Sequence, residues 1–175
     1  MSDNTKRYDD EVDTTQSAVS DLDEKYLTFF MENQRMGIPI KHVEQIVRVQ
    51  KITPVPELPD YCKGVMDLRG SIIPLIDLRL RFKKPAMEYN DTTAIIVCLV
   101  QDTMVGYIVD AVDEVVRLNE DYVSPMPRMS EQGRTDYATG IARLPSGDEH
   151  KIILLIDVEK LQSEDDLAVI TKELD

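Results

Sequence analysis

The chain repeats itself. Met36-Gly37-Ile38-Pro39-Ile40 is echoed 69 residues later by Val105-Gly106-Tyr107-Ile108-Val109, and at the same displacement Val43-Glu-Gln-Ile-Val-Arg48 is echoed by Val112-Asp-Glu-Val-Val-Arg117. Pro54-Val-Pro56 returns as Pro125-Met-Pro127 at a displacement of 71, and Asp60-Tyr61 with Gly64 returns as Asp136-Tyr137 with Gly140 at 76. Ile72-Ile-Pro-Leu-Ile-Asp-Leu78 returns as Ile152-Ile-Leu-Leu-Ile-Asp-Val158 at 80. Five echoes in one order, displaced further only where loops would lengthen, mark a duplicated unit. Each copy consists of short β-branched runs between turn residues, so the expected fold is all-β: two similar units of about five short strands, spaced as a barrel requires. A β barrel of about 60 to 70 residues is marginal alone, which argues that the two share a packed interface.

Along the chain, residues 1–22 are rich in Asp, Ser and Thr and poor in apolar side chains, and read as a disordered acidic tail. Tyr26 to Met31, a polar Glu32–Arg35 turn and Met36 to Ile40 read as a hairpin. Val43, Ile46, Val47, Val49 and Ile52 suit a helix turn passing into a strand, and Pro54, Pro56 and Pro59 stiffen the connection that follows. Lys83 to Asp91 reads as a crossover loop, Thr93 to Val100 as a strand and Met104 to Val109 as its return. The expected organisation is a domain over 23–161, one barrel from about 36–90 with strand exchange from 23–35 and the other from about 91–160. Residues 162–175 form a terminal helix or tail, with Leu161, Leu167 and Ile170 at helical spacing.

The most informative stretch is Gly64 to Phe82. Asp67, Leu68, Arg69 and Gly70 interrupt an apolar pattern as a hairpin corner does, since Gly70 tolerates positive φ and Asp67 can bond its own backbone. Ile72, Ile73, Leu75, Ile76 and Leu78 then form a buried strand. Pro74 inside it cannot donate to a ladder, which places this strand at an edge, a bulge or a barrel corner. The pattern Gly-Val-x-x-Leu-Arg-Gly-x-Ile-Ile-Pro-Leu-Ile-Asp-Leu-Arg resembles the CheW family, the coupling proteins of bacterial chemotaxis arrays, and the likeness runs from about Lys25 to Leu161.

That resemblance implies two SH3-like five-stranded barrels with a groove between them, acting as a non-enzymatic adaptor. Its partners would be a CheA-type histidine kinase, through the kinase's own CheW-like regulatory domain, and the cytoplasmic tip of methyl-accepting chemoreceptors, docked in the groove. Val43, Gln45, Gly64, Arg69, Gly70 and Val115 match the family's receptor side; Met66 and Asp67 are the kinase-side candidates. The family's arginine at position 69 is often braced by an acid on a Val-x-Glu-Ile segment. Here the segment is Val43-Glu44-Gln45-Ile46, so the acid stands one place early. On a helix turn that shift rotates a side chain by about 100°, so either Gln45 offers a neutral hydrogen bond or the bridge is absent. Alternative readings are a CheW-like module of another receptor–kinase pathway, such as twitching or developmental signalling, a regulatory fragment of a larger enzyme, and a small-ligand-binding β barrel.

The residues offer no catalytic constellation. Phosphate-loop, dinucleotide, His-Glu-x-x-His, Cys-x-x-Cys and Gly-x-Ser-x-Gly patterns are missing, and no catalytic residue, metal ligand or cofactor is assigned. His42 and His150 lie 108 positions apart in polar surroundings, and Ser71 has no neighbouring base. Asp77 and Asp157, at equivalent repeat positions, read as strand-ending caps. Arg69 is open to two readings, solvated turn residue or interaction anchor. Cys62 and Cys98 read as reduced core residues. A net charge of −13, with eight acids against Lys6 and Arg7 in the first 24 residues, argues against nucleic acid or an anionic membrane as partner. No apolar run approaches membrane-spanning length, and the expected location is cytoplasmic, at receptor arrays on the inner face of the membrane.

Overall fold

The structure, a computed structural model, describes residues 25–126, 137–162, 166 and 168–170. The acidic tail, Pro127 and Asp136 of the repeat, Leu167 and residues 171–175 lie outside the described residues. Short strands dominate: β1 (Lys25–Met31), β2 (Gln34–Pro39), β3 (Val43–Arg48), β4 (Cys62–Leu68), β5 (Ser71–Asp77), β6 (Ala94–Val100), β7 (Thr103–Val109), β8 (Ala111–Arg117), β9 (Val123–Pro125), β10 (Ala138–Ser146) and β11 (Glu149–Ile156). One helix, α1 (Leu78–Arg81), follows β5, and residues 166 and 168–170 are helical, with Ile170 fully buried.

The strands form two sheets, β8-β1-β2-β11-β10-β9 and β3-β6-β7-β5-β4. The repeat explains this order. β1 to β5 match β6, β7, β8, β10 and β11 in turn, and each copy gives its leading hairpin to the other copy's barrel. β1 pairs with β8 and β6 pairs with β3, while β2 runs parallel to β11 and β7 parallel to β5. The exchange is therefore reciprocal. It corrects the expected division of the chain: 94–109 belong with β3–β5, and 25–39 with the strands beyond 110. One barrel has six strands rather than five, because the short β9 adds to β10.

Each sheet rolls round its own core. Met66, Ile73, Leu75, Ile95, Val97 and Ile108 fill the five-stranded barrel, and Val116, Leu118, Ala142, Ile153 and Leu155 the six-stranded one. The larger apolar cluster lies between them and is built mainly from the exchanged hairpins, with Leu27, Phe29, Met36 and Ile38 facing Ile96, Cys98, Val105 and Tyr107. At about 1.5–3 kcal/mol for each fully buried large apolar side chain, this seam stabilises both barrels as one unit.

Local chemistry explains the elements. The helix turn expected at Val43 sits just before it, at Ile40–His42, and β3 begins at Val43 itself. Pro74 lies in an interior strand, which excludes the edge among the edge, bulge and corner alternatives; the register shift between Cys62 and Gly64 begins one pair away. Its partner Val65 turns both backbone groups toward Thr53 (2.8 and 2.9 Å), and β5 pairs with β7 only from Leu75 onward, so no ladder bond is asked of Pro74. The same Thr53–Val65 bridge joins the chain beyond β3 to β4 and closes the barrel. Asp77 and Asp157 do act as caps: the Asp77 carboxylate accepts the Arg79 and Leu80 amides, and that of Asp157 the Glu159 amide. Their own amides donate to Tyr61 and Tyr137 carbonyls, each at 2.8 Å.

Candidate functional site

The Asp67–Gly70 corner is a two-residue hairpin turn between Leu68 and Ser71. Arg69 (φ +52°) and Gly70 (φ +89°) both take left-handed conformations, as the tightest hairpins demand. The Asp67 carboxylate accepts the Gly70 amide at 2.8 Å. Arg69 is exposed and forms no hydrogen bond or ion pair among the described residues. Gln45 forms none either, so the brace between position 45 and Arg69 is absent.

The geometry of β3 gives the reason. Val43 pairs with Cys98 and Gln45 with Val97, which leaves Glu44 as the extra residue of a β-bulge. On this strand a one-residue shift changes the face of the sheet rather than rotating a helix position. Val43 packs on the inter-barrel cluster, whereas Gln45 is paired with Val97 of the barrel core. The Glu44 charge bears on Cys98, whose thiol is pushed up to about 12, first by burial and then by that carboxylate.

Two other candidates are structural. Gly64 (φ +136°) lies against the closing bridge, and a Cβ there would stand 2.2 Å from the Thr53 carbonyl oxygen. Met66 is 1% exposed in the barrel core, which removes it as a direct kinase contact; its neighbour Asp67 is exposed. Val115, by contrast, is 52% exposed on edge strand β8.

Of the seven large apolar residues exposed among the described residues, four fall into two repeat-equivalent pairs, which reading the motif alone missed. Ile46 and Val115, 69 positions apart, are 44% and 52% exposed on the edge strands β3 and β8; their pairing partners, Ile96 and Leu27, belong to the inter-barrel cluster. Ile72 and Ile152, 80 apart, are 51% and 52% exposed, opposite Asp67 and Arg143. Isolated exposed apolar residues are ordinary; here the same exposure recurs at both copies of two positions. The sequence signal was available: the repeat aligns all four.

Among the described residues no cluster of three or more His, Cys, Asp or Glu could hold a metal ion, and no helix is long and apolar enough to cross a membrane. Cys62 and Cys98 are buried free thiols.

The description "CheW-like domain" matches residues 25–166. The chain belongs to the CheW-like family. A chemotaxis protein CheW of Klebsiella aerogenes is 33% identical over 147 residues, covering 84% of this chain and 86% of that one. Protein FrzA of Myxococcus xanthus is 24% identical over 84% of this chain and 91% of its own length. A crystal structure of the scaffolding protein TtCheW from Thermoanaerobacter tengcongensis superposes with a TM-score of 0.70 at 32% identity, covering 79% of this chain and 91% of that one. The CheW-like match ends just beyond the capped turn at Val158–Lys160, so it takes in both barrels and the seam between them.

Proposed function

We propose that this chain is a chemotaxis adaptor that holds a chemoreceptor tip and a CheA-type histidine kinase in one assembly. The observation that carries the reading is the pair Ile46 and Val115, exposed at equivalent places on the two edge strands beside the inter-barrel seam. An amphipathic receptor helix laid along that face covers both, with Val43, Gln45, Arg69 and Gly70 supplying the nearby apolar and polar contacts. Arg69, free of an internal partner, offers its planar fork to a carboxylate or carbonyl of the receptor. On the kinase side the contact falls to Asp67 and the adjacent Ile72. Coupling is allosteric: receptor states that fit the assembly differently bias the kinase, which performs the phosphoryl transfer. The array on the inner face of the membrane is where such an assembly works.

The test is a titration of the full chain against the kinase regulatory domain and a receptor-tip fragment, with kinase activity followed in parallel. Saturable binding to both, with kinase activity changed only when all three are present, is the expected result. Binding to neither removes the function. The likeness to Protein FrzA is compatible with a second reading, the same adaptor in another receptor–kinase pathway. Binding only non-chemotaxis receptors would select it.

A further inference from the structure

Both barrels carry the same irregularity on their edge strand, and only one of them is braced. On β3, Glu44 is extra between Val43 opposite Cys98 and Gln45 opposite Val97. On β8, Val112 faces Phe29 and Val115 faces Leu27, so Asp113 and Glu114 share the place opposite Thr28. Displaced by 69, Glu44 matches Asp113, Gln45 matches Glu114 and Ile46 matches Val115. A bulge interrupts ladder bonding and re-aims neighbouring side chains, so what fixes it decides how the next residue is presented.

On β8 the bulge is held from every side. Arg35 Nε donates to Asp113 Oδ2 at 2.9 Å, and the Thr28 hydroxyl lies 3.0 Å from the same oxygen and 2.8 Å from the Glu114 carbonyl. The Glu114 amide donates to Thr28 Oγ1 at 3.1 Å, and Lys151 Nζ donates to Glu114 Oε1 at 2.7 Å. On β3 the residues that match Arg35, Thr28, Glu114 and Lys151 are Met104, Val97, Gln45 and Ser71. These cannot form an ion pair. The six-stranded barrel thus carries an acid at the position of Gln45 and a base at the position of Ser71, and the two are paired.

Building on the receptor-docking reading above, we propose that Glu114 and Lys151 are positioning residues of the receptor side. They lock the β8 bulge so that Val115 meets the receptor helix in one orientation. The receptor is registered from the six-stranded barrel, and the unbraced β3 edge, with Gln45 and Ile46, adapts to it.

The experiment titrates a receptor-tip fragment into the full chain carrying Glu114→Lys, Lys151→Glu or both together, with the kinase regulatory domain titrated as a second readout. Each single reversal should weaken receptor binding about tenfold, and the double reversal should recover it to within about threefold of wild type. Kinase-domain binding should be unaltered throughout. Amide spectra, with Glu114→Gln and Lys151→Met as milder variants, confirm that the chains stay folded. Single variants that bind like wild type overturn the inference alone. So does a folded double variant that fails to recover, because the two charges would then contact the receptor separately. A wild-type chain that binds no receptor fragment overturns the docking reading and this inference with it.

Discussion

Arg79 grips Asp110 with two parallel hydrogen bonds, Nε to Oδ1 at 2.7 Å and Nη2 to Oδ2 at 2.5 Å, at the residue where the chain leaves one barrel for the other. Glu32, on the β1–β2 turn, joins from the far side. Its amide donates to Asp110 Oδ2 at 2.6 Å, and its carboxylate meets Lys84 at 3.1 Å and Arg79 at 3.5 Å. The cluster therefore fastens one barrel's hairpin to the other barrel's helix. Arg79 and Asp110 are only 12% and 16% exposed, so removing one leaves the other poorly solvated. Asp110→Asn should cost about 2 kcal/mol, below the range for a fully buried pair. Arg79→Lys should cost a large part of it, since an ammonium cannot make the fork. Urea unfolding of the three proteins checks both values.

Gly64 tests the closure of the five-stranded barrel. With φ at +136° and the Thr53 carbonyl 2.2 Å from any Cβ, Gly64→Ala cannot be accommodated without opening the Thr53–Val65 bridge. A loss of more than about 3 kcal/mol, or failure to fold, is expected. Thermal melts and amide exchange at Val65 would show it, and a variant as stable as wild type would contradict the assigned role.

Arg69 should separate stability from function. A non-glycine residue at φ +52° carries a conformational cost that glycine lacks. Arg69→Gly should therefore raise stability by up to about 1 kcal/mol while weakening receptor-dependent kinase control. A variant that gains stability and keeps full coupling would leave Arg69 as a turn residue only.

Cys98 makes the fold sensitive to alkali. Its thiol titrates at about 12 in the folded chain against 9.0 as its ordinary value. Between these values the unfolded chain loses its proton first, so the unfolded state binds fewer protons and stability falls as pH rises. The contribution is whole below about pH 9 and lost by about pH 12, up to roughly 4 kcal/mol at one unit per 1.4 kcal/mol. Cys98→Ala should flatten the decline of urea midpoints over that window, although it lowers stability at pH 7 by leaving a small cavity. Equal slopes for the two proteins would show that other groups dominate.

The all-β class, the duplicated unit, both capping aspartates and the Arg69 turn were legible in the sequence, because each rests on local pattern: period-two burial, turn chemistry or an apolar run. Which hairpin joins which barrel was not. The exchange depends on pairings between β1 and β8 and between β3 and β6 that no neighbouring residue announces. Pro74 left edge, bulge and corner open for the same reason, since its tolerance in an interior strand comes from Thr53, which takes both backbone bonds of Val65. The Glu44 shift was visible but misread, because a bulge looks like any other strand residue until its partner is known. Met66 fell among the contact candidates because it adjoins an exposed turn; alternation along β4 puts it inside.

The reciprocal hairpin exchange also governs how the protein can be made. While the first copy emerges from a ribosome, β1 and β2 have no β8 or β11 to pair with, and β3 has no β6. Thr28 waits for Glu114, 86 residues later. The five-stranded barrel has all its strands once β7 is made, whereas the six-stranded one must hold β1 and β2 open until β8 and β11 follow, and pairings this far apart in sequence slow folding. A chain cut after β7 holds every strand of the five-stranded barrel but leaves β1 and β2 without β8 and β11, and those unpaired edges are prone to aggregation.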